Sequence, residues 1–218
     1  MQTKSTKNAG GGRALSLDEM IGKCLTAVEN EECRKYLENR PSYGNCFSYC
    51  DDNIPYFIMN PKAGVGARMY WYSTITKLPK LDYSHLFNLE SFCGGCTSLK
   101  EAIADILKPT YCTEMFRDCM SLVKLYTLNL DKVAGAKYQN NMFYKCKALV
   151  EVRFVANTIH WSISFADSPL LSAESVQSII GGLATVTTAE TITFHKNIVL
   201  TDAQKQTINE KGWTLVQA

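Results

Sequence analysis

Met115-Phe116-Arg117-Asp118-Cys119-Met120-Ser121-Leu122 returns as Met142-Phe143-Tyr144-Lys145-Cys146-Lys147-Ala148-Leu149. A weaker copy, Phe92-Cys93-Gly94-Gly95-Cys96-Thr97-Ser98-Leu99, precedes both. A degenerate one follows, with Phe165, Ser168 and Leu171 in the three apolar or small slots. The shared phase is Phe-x-x-Cys-x-x-Leu, at an interval of roughly 22 to 27 residues that is typical of repeat architectures. One unit of this kind cannot bury its own apolar face. Its neighbours bury it, and the stack presents a long open surface suited to binding more than a closed pocket suited to chemistry.

The interval and phase predict an α/β fold, a leucine-rich-repeat solenoid with an N-terminal helical cap and a helix-strand C-terminal cap. The chain has 218 residues, ordinary apolar and charged fractions and a formal net charge of +2. That charge argues against nucleic acid as the main partner. No apolar run is long enough to span a bilayer, and Met1 to Arg13 lacks the apolar core of a secretory signal. Nine cysteines form an odd set that cannot pair fully within one chain. Their positions read as small buried core residues, which fits folding in a reducing compartment.

Three segments follow from composition. Residues 1–14 are small, polar and Gly-rich and read as a flexible arm. Residues 15–66 form a helical and irregular cap region. Its helix is capped by Ser16 or Asp18, carries Leu17, Met20, Ile21, Cys24, Leu25 and Val28 on one face, and runs to Glu38 or Asn39. Pro41, Gly44, Pro55, Pro61, Gly64 and Gly66 make the rest turn-rich, with one short strand expected at Tyr56 to Met59. Residues 67–218 are the repeats. Short strands are expected at Leu99 to Ala104, Leu122 to Leu128 and Leu149 to Val155. Ala102, Ala104, Leu125, Thr127, Val152 and Phe154 then point inward, by the two-residue period of a strand. Farther on, Ser172 caps a helix ending near Gly181-Gly182, Thr191 to Phe194 alternates as a strand, Thr201-Asp202 caps a second helix, and Trp213 to Val216 is the last strand.

The repeated phrase resembles that of the BspA-like leucine-rich-repeat proteins, especially a variant with Leu-Asp before it. Here that element reads Leu81-Asp82-Tyr83-Ser84 once and Leu130-Asp131-Lys132-Val133 again. The tail resembles the C-terminal part of such proteins in phages and prophages of gut bacteria: Leu171-Ser172-Ala173-Glu174-Ser175, Leu200-Thr201-Asp202-Ala203-Gln204-Lys205 and Lys211-Gly212-Trp213-Thr214-Leu215. The resemblance covers residues 75–218. It implies surface adhesins and phage structural or host-recognition proteins, with no catalytic residues to carry over.

Chemistry finds little purchase in the sequence. Cys93-Gly94-Gly95-Cys96 with Cys112 and Cys119 formally matches a zinc set. However, Cys96, Cys119 and Cys146 share one phase and read more simply as a buried column, so no metal or cofactor is expected. His85, His160 and His195 lie on separate elements without a nucleophile elbow. Gly10-Gly11-Gly12-Arg13 lacks the lysine-serine of a phosphate loop.

Two outward rows carry the binding expectation. Glu101, Lys124 and Glu151 alternate in sign, as a charge ladder would. Ile103, Tyr126 and Arg153 combine an aromatic and an arginine, types enriched at interaction hot spots. Tyr70, Trp71 and Tyr72 form the densest aromatic cluster and read either as part of a strand or as an exposed patch. The expected function is non-enzymatic: a virion fibre, tail or decoration protein contacting a host-surface protein or glycan, or neighbouring subunits, as a homo-oligomer. The rivals are an intracellular or cell-surface scaffold or adhesin, and a zinc module.

Overall fold

The computed structural model describes residues 31–54, 56–103, 107–139 and 141–218. The arm at 1–14, the start of the expected N-terminal helix and the inward assignment of Ala104 lie outside the described residues. The elements are α1 (Glu31–Glu38), β1 (Glu101–Ala102), β2 (Lys124–Leu128), a 3-10 turn (Ala136–Tyr138), β3 (Glu151–Phe154), β4 (Ile163–Phe165), α2 (Ala173–Gly182), β5 (Glu190–Phe194), α3 (Asp202–Glu210) and β6 (Trp213–Gln217).

The repeated phrase folds as a tier of three successive turns. In one tier Met115 N–H bonds Cys112 O, Arg117 N–H bonds Glu114 O, and Cys119 N–H bonds Phe116 O. The third residue of the first and last turns is left-handed, Glu114 at φ 54 and Asp118 at φ 58. A type II turn requires this. The same pair recurs at Asn45 and Tyr49, Arg68 and Tyr72, Ser91 and Gly95, and Asn141 and Lys145. Amides that close no turn point along the stack. Cys93 N–H reaches Met115 O, Gly95 N–H reaches Arg117 O, Phe116 N–H reaches Met142 O and Asp118 N–H reaches Tyr144 O. Backbone donors thus alternate between the tier's own turns and the next tier, which meets the need of buried amides for partners.

Two columns run through the core. Phe47 stacks on Tyr70 at 5.8 Å, and farther along Phe116, Phe143, Phe165 and Phe194 stack in turn at 6.3, 4.9 and 6.2 Å. Cys93 occupies the ring position between them, and Phe92 turns in instead, edge-on to Tyr70 at 5.2 Å and to Tyr83 at 5.5 Å. Beside the rings runs a column of small hydrogen-bonding residues: Ser73, Cys96, Cys119, Cys146 and Ser168, all buried.

The expected leucine-rich-repeat solenoid is corrected. Among the described residues the structure is mixed α/β, with two separate three-stranded parallel sheets, β1-β2-β3 and β4-β5-β6, and three short helices. The cause is local. The open edge of β3 is taken by α2, whose Ser175 and Ser178 hydroxyls accept the Val152 and Phe154 N–H groups at 3.0 Å each. A fourth strand has no place there. β4 stacks instead on the 142–146 tier through the phenylalanine column, and β4-α2-β5-α3-β6 builds its own sheet with Ile163 opposite Ile192 and Phe165 opposite Phe194.

Smaller differences have equally local causes. β1 spans only two residues, and the expected strand at Tyr56 to Met59 does not form. The β2–β3 register slips between Leu125 and Leu128, so Leu128 enters the core where alternation predicts Thr127. The C-terminal caps fall where the sequence places them. Ser172 accepts from Ser175 N–H, and Thr201 forms a capping box with Gln204.

Candidate functional site

Sheet β1-β2-β3 brings the predicted charged row into register, Glu101 opposite Lys124 and Lys124 opposite Glu151. Lys124 Nζ lies 3.0 Å from Glu151, and Lys77, bridged to Glu101 from the preceding tier, lies 3.4 Å from its carboxylate. The Glu151 carboxylate raises the Lys124 pKa. All four side chains are partly or largely open to water, so the ladder contributes modestly to stability and mainly sets the charge pattern of the face.

The second row is also brought to the surface. Ile103 is 49% exposed and Tyr126 38%. Arg153 is half-buried and tied down, its guanidinium donating to Ser175 Oγ at 3.3 Å and to Val152 O at 3.4 Å. Glu101 and Ile103 also line an open cavity of about 490 Å³ with Tyr56, Lys77, Lys80 and Leu81. Sequence reasoning missed Tyr56, Lys77 and Lys80, because they come from neighbouring tiers that the repeat phrase does not mark.

The aromatic cluster divides. Tyr70 is a core residue, fully buried, its hydroxyl 2.9 Å from that of Tyr83, which donates in turn to Pro79 O at 2.8 Å. Burial drives both phenol pKa values upward. It therefore does not belong with the surface residues. Trp71 and Tyr72 do reach the surface and are joined there by Tyr49, which the sequence reading passed over.

The cysteines resolve as a column of donors. Cys96 Sγ donates to Tyr70 O at 2.8 Å, Cys119 to Cys93 O at 3.0 Å, Cys146 to Phe116 O at 3.1 Å and Cys112 to Tyr138 O at 2.8 Å. Burial pushes the thiols of Cys93, Cys112, Cys119 and Cys146 up. At Cys96, hydrogen bonds with Cys93 and Ser73 outweigh burial and lower it. No cluster of three metal-ligating side chains occurs among the described residues. Cys46 is buried and forms no disulfide. Cys50 is disulfide-bonded, against the reading of all the cysteines as reduced core residues.

The histidines stay apart. His160 Nε2 lies 3.5 Å from Asp131, His195 Nδ1 accepts from Asn197 N–H, and His85 is half-buried with its pKa lowered by burial. No helix among the described residues is long and apolar enough to cross a membrane. No family model, curated protein or solved structure matches the chain.

Proposed function

We propose that this chain is a non-enzymatic binding protein of a phage particle, a fibre, tail or decoration component that contacts the host surface or neighbouring subunits. The observation that supports it most is the outward face of β1-β2-β3. There a fixed charge ladder flanks Ile103 and Tyr126, two large apolar side chains left open to water. A soluble chain gains nothing in stability from such side chains in the open, and an apolar centre with a charged rim is the composition of an interaction surface. The virion setting rests on the resemblance of the repeated phrase and the tail segments to BspA-like proteins of phages and prophages.

Peptide mass spectrometry of density-purified virions tests the setting. Stoichiometric recovery with the major structural proteins supports it, and recovery only in the soluble lysate favours an intracellular scaffold. For the face, Tyr126→Ala and Ile103→Ser are expected to weaken adsorption of particles to host cells, or assembly, without changing the melting temperature. Unchanged adsorption and assembly in both variants would sink that assignment.

A further inference from the structure

A second surface feature lies outside the sheet face, on the turns of the first tiers. Tyr49 and Tyr72 occupy the same left-handed turn position in successive tiers, at φ 62 and φ 52. That conformation costs a side-chain-bearing residue about 1–2 kcal/mol. The next tier fills the position with glycine, Gly95. Two tyrosines are thus held at unfavourable positions, and both rings remain in solvent, 66% and 49% exposed. The fold buries only part of each ring.

The rings are nevertheless well ordered by their neighbours. Tyr49 lies parallel to Tyr72 at 6.0 Å and 8°, while Trp71 meets them edge-on at 5.7 and 4.7 Å. Tyr72 is seated on the bare backbone of Gly95, where even a methyl group would meet its ring at 2.7 Å. Arg68 places its guanidinium 5.5 Å from the Trp71 ring centre and makes no ion pair among the described residues. The result is an aromatic platform with an unneutralised cation at its edge.

Size and charge decide what fits. The open faces of Tyr49 and Tyr72 with the partly exposed Trp71 offer on the order of 300 Å². A stable protein partner needs about 800 Å² per side. A pyranose ring presents an apolar C–H face of matching scale, and a carboxylate on that ring satisfies Arg68. We infer that Tyr49, Trp71 and Tyr72, with Arg68, form a binding site for an acidic, carboxylate-bearing saccharide. The inference rests on the reading of the chain as a binding protein, and it is independent of whether the chain resides in a virion.

The test titrates the purified full chain with a panel of oligogalacturonate, oligoglucuronate and oligosialic acid, and with the carboxyl-reduced form of each, followed by calorimetry and tryptophan fluorescence. At least one acidic oligomer binds, and its reduced form binds about tenfold more weakly, as loss of a charge-assisted contact implies. Arg68→Gln abolishes that preference. Trp71→Ala loses binding to both forms, and Trp71→Phe restores it, all with unchanged melting temperatures. Absence of binding across the panel, equal affinity for reduced and acidic forms, or indifference to Trp71→Ala overturns the inference. So does retention by deglycosylated host-surface protein that Trp71→Ala abolishes, which would make the platform a protein site. Recovery of the chain in virions with no saccharide binding would leave the proposed function standing and remove this site alone.

Discussion

The Ser175 hydroxyl accepts the Val152 N–H at 3.0 Å and donates to Val150 O at 2.9 Å, so a helix side chain occupies the hydrogen-bonding edge that another strand would use. Ser175 is fully buried, and its removal leaves a buried amide of β3 without a partner. Ser175→Ala is therefore expected to cost about 1–3 kcal/mol, read by urea denaturation. A loss below the error of the fit would show that water reaches this edge.

Two glycines differ in what surrounds them. A Cβ at Gly212, φ 84, would lie 2.4 Å from Val186 O, a carbonyl anchored because the Val186 amide bonds Lys211 O. At Gly95, φ 77, the obstacle is the Tyr72 ring, which can swing away. Gly212→Ala should lower stability by about 2–3 kcal/mol, and Gly95→Ala by less, about 1–2 kcal/mol. Thermal melts of the pair in one buffer read the order directly.

Lys145 is left-handed at φ 59 and pairs its ammonium with Asp118 at 3.2 Å across exposed surface. Glycine at that position relieves the backbone and gives up only a weak ion pair. Lys145→Gly is expected to raise stability by about 0.5–1 kcal/mol. A destabilised variant would mean that the pair with Asp118 matters more than its exposure suggests.

Alkaline pH should unfold the chain early. Burial raises the folded-state pKa of Cys93, Cys112, Cys119 and Cys146, and of Tyr70 and Tyr83. Each group holds its proton when folded and releases it when unfolded. Stability from these groups is complete below the unfolded pKa values and falls as pH rises above them. For thiols the loss begins near pH 8.5 and for the phenols near pH 10, at about 1.4 kcal/mol per group and pH unit. Denaturation midpoints from pH 7 to 11 trace the curve, and a flat profile to pH 10 would refute the protonated column.

The ladder at Lys124 makes a contrasting case. Lys124→Ala should leave the melting temperature nearly unchanged. Lys124→Glu sets three carboxylates side by side on adjacent strands and is expected to lower the melting temperature at low salt, an effect recovered at high salt. Melting temperatures across a salt series separate the two.

What the sequence revealed, and what it hid, follows from which residues must repeat. Phe116, Phe143, Cys119 and Cys146 face neighbours of the same kind, so stacking forces the same residue types to return and the phrase is visible. The tier at Arg68-Met69-Tyr70-Trp71-Tyr72-Ser73 obeys the same rule with tyrosine for phenylalanine and serine for cysteine. Those exchanges keep the ring and the buried donor but hide the phrase from a search for Phe and Cys, which is why the sequence leaves Tyr70 open between a repeat residue and an exposed patch. The break in the sheet was less legible still. Ser175 and Ser178 look like ordinary helix-start residues, and nothing in their spacing reveals that their hydroxyls face strand amides. The slip that carries Leu128 inward arises from the fit between two strands and has no signature in either alone. Of the candidate site, Glu101, Lys124 and Glu151 were readable from the two-residue period, whereas Tyr49, Tyr56, Lys77 and Lys80 depend on which tiers become neighbours.

The alternation of amides between a tier's own turns and the next tier has a consequence for change over time. A residue added within the turns themselves puts their amides out of step with the next tier, whereas the segment between turns takes up extra length: Ser91, Glu114 and Asn141 lie 23 and 27 residues apart, and the same tier-to-tier bonds form on both sides. Length in this molecule is thus fixed within the turns and free between them, so insertions are expected to collect in the connecting segments.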